Sequence, residues 1–524
     1  MPCTQIDEYD TIYLMAQGNE KLAAAMEALQ AVQKHGIVRS EDLSRRYRDR
    51  LVTAGFLTPI INGWLQVANP TAPSGSTASW FGAYWSFISQ YLQARFGDEY
   101  CLSAEASIKK HVQSTIIPQQ ILVSVTSRIN NTISLPHDTS ITVFASPENI
   151  SAQQKMKIDG VWTLSLAAAI CKVSEPYYAN NAEEMELALR MVRDPSELLE
   201  ILLENGSTTK AGRLVGAYNF LGDTKTASRI KSAMVAAGHT IEEKNPFRRP
   251  EPMLSGRTRI VSPHIARLEG LWADMRDQVI EQFADYNIPL LSTAEYLADL
   301  EDRYAADAYN SLSIEGYRVT PELIQRVRDY GWNPEATPED RMHQDALAAH
   351  GYYLAFQAVK QSIERILNGV EAAKVIDNDF HDWYTQMFSP QATAGIIKPA
   401  QLAGYRNNPV YLRGSMHVPP AAESVPDCMD TFIELMTAEE NAAVQAVLGH
   451  FIFVFVHPYT DGNGRIGRFI MNAGFSSGGF PWTVIHQNRR EEYLAALEEA
   501  SVRRNITPFA QFVREEMESK RTGA

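Results

Sequence analysis

The clearest periodic pattern in the chain lies just before residue 457. Apolar residues recur there at the spacing of one helix face, at Val444, Val447, Leu448, Phe451 and Phe455. Thr437 and Glu440 fit a capping box at the start of this helix, and Pro458 disfavours helical geometry at the residue before it. Residues 451–456 have the composition of a strand, but they continue a capped periodic segment. The pattern therefore predicts a buried helix that ends near His457.

The first 70 residues show the pattern of a small module with helices and a hairpin. Residues 21–34 are amphipathic, Ser40 starts a plausible short helix, and a third helix spans residues 45–54 before Gly55. Two strand-like runs then flank Asn62-Gly63, a strong signal for a tight hairpin turn. This order predicts a winged helix-turn-helix, whose recognition-type helix carries Arg45, Arg46, Arg48 and Arg50.

Two stretches rich in proline, glycine and serine, residues 69–76 and 245–256, divide the chain. Between them, strand-like segments precede a helical region from residue 194 to about residue 238, which predicts an α+β module. We therefore expect three modules, at residues 1–70, 77–245 and 257–524.

Composition narrows the class of protein. The chain has 524 residues with 45% hydrophobic and 21% charged residues, which is typical of a folded protein with two or three domains. Its formal net charge of −14 argues against a general polyanion binder. The cysteines are scattered, which indicates free thiols in a reducing compartment; they are Cys3, Cys101, Cys171 and Cys428. We expect no signal peptide, no membrane span and a cytoplasmic location.

The chemistry concentrates in residues 457–468, which read His-Pro-Tyr-Thr-Asp-Gly-Asn-Gly-Arg-Ile-Gly-Arg. Glycines let backbone N–H groups turn inward, and a second helix, predicted from residue 466 to about 474, adds partial positive charge, so both favour an anion. Arg465 and Arg468 bring donors that match phosphate oxygens. Asp461 is a carboxylate suited to Mg²⁺, and His457 is suited to taking a proton from an attacking hydroxyl. The run predicts a nucleotide site.

A dinucleotide-binding βαβ unit is the alternative, because Gly462, Gly464 and Gly467 satisfy G-x-G-x-x-G. Five residues separate the apolar run from the first glycine, and only 57 residues follow Gly467. That is too short for the rest of a doubly wound sheet. The Walker lysine motif, H-E-x-x-H and the kinase signatures are absent.

Residues 457–468 resemble the signature HxFx(D/E)GNGRxxR of the Fic family. The resemblance covers roughly residues 255–515 and implies a helical domain with a small β-hairpin flap. It implies that His457 is the base, that Asp461 holds Mg²⁺, and that Arg468 holds the γ-phosphate of ATP. It also implies that further residues bind phosphate, namely Gly462, Asn463, Gly464 and Arg465. Tyr459 stands where the family has Phe, a change expected to affect packing.

A second segment, Ser311-Leu-Ser-Ile-Glu-Gly316, resembles the family's inhibitory pattern (S/T)xxxE(G/N). In proteins with this pattern the Glu pairs with the second arginine of the active motif and keeps the γ-phosphate from its productive position. The resemblance therefore implies an inhibitory helix near residues 311–316. Glu315 would pair with Arg468, and Ser311 would orient the Glu.

Two weaker resemblances flank the active motif. Residues 404–420 resemble the flap, where Val410, Tyr411 and Leu412 would pair with an extended target segment; an ordinary surface hairpin is the alternative. Downstream, Tyr493 lies in a segment that resembles the closing helices of the family. It would either stack on adenine or pack in the core.

Residues 1–245 faintly resemble AbiEi-like abortive-infection antitoxin regulators, through the order of elements. That resemblance implies an operator-binding or protein-binding module, with DNA contacted through residues 45–67. Residues 1–70 carry seven basic and eight acidic residues, whereas DNA-binding modules are clearly basic. Protein contact or homodimerisation therefore stays open beside DNA binding.

Taken together, the expected fold is multi-domain. A winged helix-turn-helix and an α+β module would precede a mainly α Fic domain with a small β-hairpin flap. The expected activity is transfer of AMP from ATP, with Mg²⁺, to a Ser, Thr or Tyr hydroxyl of a target protein, restrained by Glu315. The alternatives are removal of AMP from a target, or a transcriptional regulator whose Fic part senses nucleotide or is quiescent.

Overall fold

The computed structural model describes residues 8–70, 77–127, 129–146, 152–253, 260, 262–289, 291–330 and 344–519, and side chains from residue 20 onward. The contacts within the chain divide it into two compact units. The first comprises Met1–Pro252, Arg257–Val261 and Tyr411–Val418, and the second comprises Met253–Gly256, Ser262–Val410 and Pro419–Ala524. Neither unit separates residues 1–70 from residues 77–245, and the division into three modules stays a prediction. Most of residues 69–76 lies outside the described residues.

The chain begins with two helices and a three-stranded antiparallel sheet of order β1-β3-β2. The elements are α1 (Glu8–Val32), β1 (Ile37–Arg39), α2 (Arg45–Thr53), β2 (Leu57–Ile61) and β3 (Trp64–Val67). A side-chain oxygen of Ser44 accepts a hydrogen bond from Tyr47 N at the start of α2. The short helix expected from Ser40 is wrong, because that segment forms a turn after β1, with Asp42 N donating to Arg39 O at 3.1 Å.

An α+β region follows in the first unit. Its elements are α3 (Ala78–Phe96), β4 (Tyr100–Leu102), α4 (Ala104–His111), β5 (Gln120–Val125), β6 (Asn131–Ser134), β7 (Ser140–Ala145), β8 (Lys155–Ile158) and β9 (Val161–Leu164). The four-stranded sheet has the order β4-β5-β7-β6, with β5 and β7 parallel. One face packs on the aromatic side chains of α3, including Trp80, Tyr84 and Phe87.

Six helices close the described part of this unit. They are α5 (Leu166–Lys172), α6 (Glu175–Asn180), α7 (Ala182–Met191), α8 (Ser196–Glu204), α9 (Thr208–Phe220) and α10 (Thr224–Ala236). The stretch expected to be a linker from residue 245 packs onto them, since Phe247 is 6% exposed and stacks on Phe220 at 4.9 Å between ring centroids. Its glycine end, residues 254–256, lies outside the described residues.

The second unit is helical in its described part. Its helices are α11 (Pro263–Phe283), α12 (Thr293–Ile314), α13 (Pro321–Tyr330), α14 (Gln344–Leu367), α15 (Ala372–Thr393), α16 (Val425–Ala438), α17 (Ala442–Val456), α18 (Asn463–Ser477), α19 (Arg490–Arg503) and α20 (Thr507–Glu518). Helix α17 is apolar on all sides and lies in the core, as such a helix must. In the part of the chain that the structure describes, no helix is long and apolar enough to cross a bilayer.

The start of α17 differs from the expected capping box. Thr437 lies in the last turn of α16, where its hydroxyl donates to Ile433 O at 2.8 Å. Asn441 caps α17 instead, because its Oδ1 accepts from the backbone N–H groups of residues 443 and 444. Glu439 precedes the cap and accepts two hydrogen bonds from Arg276 of α11, which fixes the turn between the helices.

Residues 404–420 form no strand, so the expected β-hairpin flap is wrong as a hairpin. The segment turns at Arg413 and Gly414, where Gly414 has a φ of 75°. Its one bridge of strand type joins His417 to Ile116 of the first unit. The segment therefore pairs with a distant part of the chain and not with itself.

Candidate active site

His457 ends helix α17 in a left-handed conformation, with a φ of 54°. Its N–H donates to Phe453 O at 2.9 Å, and its ring Nδ1 lies 3.3 Å from Val454 O. With the proton assigned to Nδ1, this contact leaves Nε2 as the acceptor. Burial lowers the pKa of His457 to about 4. The ring is therefore neutral at pH 7 and able to accept a proton.

Arg406 fixes the chain on either side of this histidine. Its guanidinium donates to His457 O at 2.7 Å and to Pro420 O at 2.6 Å, and its backbone N–H donates to Pro458 O at 2.8 Å. Sequence analysis did not single out Arg406, because the carbonyls it binds lie about fifty positions away and carry no sequence signal. It is a positioning residue for the loop.

The loop after His457 is held by its own side chains. Asn463 Oδ1 accepts from Tyr459 N at 2.9 Å, and Asn463 Nδ2 donates to Tyr459 O at 2.8 Å. Asn463 is 1% exposed, so its amide works within the loop. Gly462, with a φ of 82°, precedes the first residue of α18, which begins three residues earlier than expected.

Arg465 is fully buried between two rings, 5.0 Å from the centroid of Phe388 and 5.2 Å from that of Tyr317. Its Nη2 lies 3.2 Å from Asp461 Oδ1. Apart from this ion pair, Nε and Nη2 of Arg465 have no hydrogen-bond acceptor among the described residues, and Nη1 of Arg468 has none either. Buried N–H groups normally have acceptors. Arg465 lies on the first turn of α18 and Arg468 on the second, and these donors are suited to an anion.

Arg468 is held by the segment that resembles the inhibitory pattern. Its Nη2 donates to Glu315 Oε1 at 2.8 Å and to Ser311 O at 3.2 Å, and its Nε donates to Ser311 Oγ at 2.9 Å. Ser311 therefore contacts the arginine, whereas we expected it to orient the Glu. Partial burial would raise the pKa of Glu315, but the charges of Arg468 and Arg465 outweigh it and lower that pKa.

The carboxylate of Glu315 also lies directly over Gly464. A Cβ at position 464 would be 2.4 Å from Glu315 Oε1 and 3.2 Å from Arg468 Nη1. Only glycine leaves room for the carboxylate at this distance. The space above the first turn of α18 is thus occupied by an anionic group of the chain itself.

A divalent cation fits one residue of the loop. Among the described residues, no three His, Cys, Asp or Glu side chains converge into a metal cluster. The Asp461 side chain is 59% exposed, and its Oδ1 accepts from Gly462 N at 2.6 Å. A single exposed carboxylate suits Mg²⁺, which takes its other ligands from phosphate oxygens and water.

Comparison with known proteins agrees with this geometry. The profile of the Fic/DOC family matches residues 378–473, which run from α15 through the loop and most of α18. These residues form a Fic domain. Glu315 lies upstream of the matched residues and Tyr493 downstream of them.

The relatives of the Fic domain carry an enzyme name. The chain is 35% identical over 320 residues to "Protein adenylyltransferase Fic" of Nematostella vectensis, covering 60% of this chain and 65% of that protein. It is 26% identical over 217 residues to the protein of the same name from Drosophila virilis, covering 41% of each. The chain thus spans less than two thirds of either curated relative. A solved structure of Fic-1 from C. elegans aligns with 17% identity and a TM-score of 0.34, covering 68% of this chain and 96% of that chain.

Tyr459 makes a polar contact in the Fic domain in addition to the expected change of packing. Its ring stacks on Tyr384 of α15 at 3.8 Å between centroids, and its hydroxyl lies 2.6 Å from Nδ1 of His381. The Phe that the family has at this position lacks the hydroxyl. A Phe at this position could not make the contact with His381, which sequence analysis did not anticipate.

Tyr493 lies in the core beyond the Fic domain, at 2% exposure. Its hydroxyl is 2.8 Å from Nε2 of His450, and its ring lies near Phe509 and Phe512. This burial favours the packing role that sequence analysis left open beside adenine stacking. The adenine role stays a prediction.

The buried histidine of this pair predicts a pH dependence of stability. Burial lowers the pKa of His450 to about 3, whereas a histidine of the unfolded chain titrates near its ordinary value of about 6.5. The unfolded chain therefore binds more protons below pH 6.5, and stability falls as pH decreases. From pH 8 to pH 5 this histidine alone costs about 2 kcal/mol. In urea unfolding, His450→Gln should lose that much less stability than the unaltered chain over this range.

His35→Asn is the control, because His35 is exposed and has a φ of 50° that Asn tolerates. It should lose as much stability from pH 8 to pH 5 as the unaltered chain. An equal loss in His450→Gln would contradict the assignment.

Proposed function

We propose that the protein is a protein adenylyltransferase, which transfers AMP from ATP to a Ser, Thr or Tyr hydroxyl of another protein. One observation carries the proposal. The neutral His457 is followed, on α18, by two buried arginines, and some of their N–H groups have no acceptor among the described residues. Such donors are suited to phosphate oxygens, and a neutral imidazole is suited to receiving a proton. The name of the relatives agrees with ATP as the donor.

In this reaction the target hydroxyl oxygen attacks the α-phosphorus of ATP. A bond forms between them while the bond from the α-phosphorus to the oxygen that bridges to the β-phosphate breaks, and pyrophosphate leaves. The hydroxyl proton passes to Nε2 of His457. Arg465 and Arg468, with the backbone N–H groups at residues 462–464, bind the phosphates and stabilise the charge that develops. Mg²⁺, when bound at Asp461, would neutralise part of the phosphate charge.

The proposal includes restraint by Glu315. Its carboxylate takes one donor of Arg468 and the space above Gly464, so it competes with the γ-phosphate for both. The inhibitory helix α12 is itself anchored, because Asp307 is 3% exposed and accepts from the hydroxyl of Tyr352 at 2.6 Å. ATP would therefore have to displace Glu315 from the guanidinium of Arg468 in order to bind it.

The test of this function is which phosphate is transferred. With Mg²⁺ and α-labelled ATP, the Glu315→Gly chain should label itself or a protein of a cell lysate, because the AMP part carries the label. With γ-labelled ATP it should label nothing, because that phosphate leaves with pyrophosphate.

The matched control is Glu204→Gly, the same substitution at the exposed end of α8 in the first unit. It should leave labelling at the level of the unaltered chain. Label that arrives from the γ-phosphate would show a kinase and remove the proposal.

Several finer expectations from the sequence stay predictions beside this one. Removal of AMP from a target would use the same loop, and donors that supply UMP, phosphocholine or phosphate are open. DNA binding through residues 45–67, homodimerisation and a cytoplasmic location have no support beyond the sequence. In the first unit α2 does carry the four expected arginines, but Asp49 forms ion pairs with Arg45 and Arg48.

A further inference from the structure

Two arginines hold the C-terminal end of helix α12, the helix that Glu315 caps. The last four carbonyls of a helix have no partner inside it. Of these, Ser311 O accepts from Nη2 of Arg468 at 3.2 Å, and Ile314 O accepts from Nε of Arg490 at 2.7 Å. The two carbonyls between them accept from N–H groups of the turn that follows α12. A cation at this end of a helix also interacts favourably with the helix dipole.

The side of α12 that carries Asn310 and Ile314 meets the turn before α19 and the first residue of that helix. Asn310 Oδ1 accepts from the backbone N–H of Gln487 at 2.9 Å, beside the bond from Arg490 to Ile314 O. Positions four apart lie on one side of a helix, and the next position is rotated by about 100°. The contact with residues 487–490 is therefore separate from the contact with Arg468.

The segment that carries Arg490 is itself fixed to two other helices. Nη1 of its neighbour Arg489 donates to Oε1 of Glu516 on α20 at 3.1 Å, and Glu516 is 3% exposed. Upstream in the same segment, Thr483 O accepts from Nδ2 of Asn472 on α18 at 3.0 Å, and Thr483 N donates to Asn472 Oδ1 at 2.7 Å. Arg490 therefore holds the end of α12 from a support that is tied to both α18 and α20.

We propose that Arg490 is a positioning residue for Glu315, which keeps the end of α12 in place while the carboxylate competes with ATP for Arg468. Glu315 directly follows Ile314, the residue whose carbonyl Arg490 binds. A tethered group competes at an effective concentration that falls when its tether loosens. In this role Arg490 acts through Glu315 and binds no phosphate itself. The inference rests on the restraint included in the proposed function and names a second residue on which that restraint depends.

The first experiment measures ATP binding to the full chain by calorimetry with Mg²⁺. Arg490→Ala should raise ATP affinity by about 2- to 12-fold, the equivalent of one hydrogen bond of ordinary net strength. In the Glu315→Gly chain the same substitution should leave affinity unchanged, because no carboxylate remains to be positioned. A merely structural loss would move both chains alike. Arg503→Ala, at the exposed C-terminal end of α19, is the matched control and should leave affinity unchanged in both chains.

Three results overturn the proposal. Unchanged affinity in Arg490→Ala means that Glu315 keeps its place without this arginine. An equal gain in the chains with and without Glu315 means that Arg490 does not act through Glu315, and a loss in both means that Arg490 contacts the nucleotide directly. If the Arg490→Ala chain does not fold, Asn310→Ala answers the same question in the same two chains, because it removes the neighbouring bond from Gln487 N.

The second experiment tests the anchor without ATP. The N–H groups of Gly316 and Tyr317 donate to carbonyls in the last turn of α12. Hydrogen exchange in a peptide covering residues 311–318 should therefore be about 5-fold faster in Arg490→Ala than in the unaltered chain. Peptides of α15 should exchange as before, which shows that the surrounding helices are intact. Equal exchange at residues 311–318 overturns the anchor.

Neither experiment requires transfer of AMP. If the Glu315→Gly chain transfers no label from α-labelled ATP, the proposed function fails, and ATP binding with hydrogen exchange still decides the role of Arg490. If ATP affinity responds to Glu315→Gly but not to Arg490→Ala, the proposed restraint stands and the inference about Arg490 fails.

Discussion

Replacing His457 with Ala in the Glu315→Gly chain should lower the rate of AMP transfer by about 10²- to 10⁴-fold, the usual contribution of a general base. ATP affinity should change little, because the hydrogen bonds described for the imidazole join it to the backbone of Val454 and not to either arginine of the loop. Single-turnover labelling with α-labelled ATP measures the rate, and calorimetry measures ATP binding.

The pH profile makes this prediction sharper. Because burial lowers the pKa of His457 to about 4, the base is already deprotonated at pH 6 to 8. The transfer rate of the Glu315→Gly chain should therefore be flat across that range and should fall only as pH decreases toward about 4. His35→Asn, at an exposed position with a φ of 50° that Asn tolerates, is the control for loss of a histidine. A rate loss below about 10-fold in His457→Ala would remove the base from the scheme.

Glu315→Gly should raise ATP affinity by about 10- to 150-fold, the range expected when a charge-assisted hydrogen bond of about 1.5–3 kcal/mol no longer competes with phosphate. The change frees Nη2 of Arg468 and the space over Gly464 together. Replacing Arg468 with Ala in the same chain should return the affinity to near its original level, because the freed donor is gone. Calorimetric titration with ATP and Mg²⁺ measures both steps.

Glu315→Gln separates charge from space in this prediction. The amide keeps the size of the side chain but carries no charge, so affinity should rise less than in Glu315→Gly. Unchanged ATP binding in Glu315→Gly would mean that Glu315 does not restrain the site. It would leave the proposed chemistry of the loop untouched, since His457 and Arg465 do not depend on it.

The local sequence pattern predicted the two helices that flank the loop of the candidate site. The apolar periodicity before residue 457 and the proline after it predicted a helix that ends where α17 ends, and a second helix after the glycines was also predicted. Glu315 and Arg468 are 153 positions apart, and the expectation that they pair came from a family resemblance and not from any local pattern. The structure brings them together with an N–O distance of 2.8 Å.

The misses share a physical cause, because each depends on a contact made after folding. Thr437 and Asn441 are both good capping residues, and Glu439 bound to Arg276 of α11 decides between them. Arg406 acts through backbone carbonyls, which leave no mark on the side-chain pattern. The absent hairpin has the same origin, since residues 411–418 find their strand partner about three hundred positions upstream.

The position of Glu315 above Gly464 has a consequence for control by metabolite level. If the γ-phosphate binds at Arg468 as proposed, the Glu315 carboxylate competes with it, and this competition weakens as the ATP concentration rises. Under the proposed function, AMP transfer would be slow at a low ATP concentration and would rise as ATP displaces the Glu315 carboxylate from Arg468.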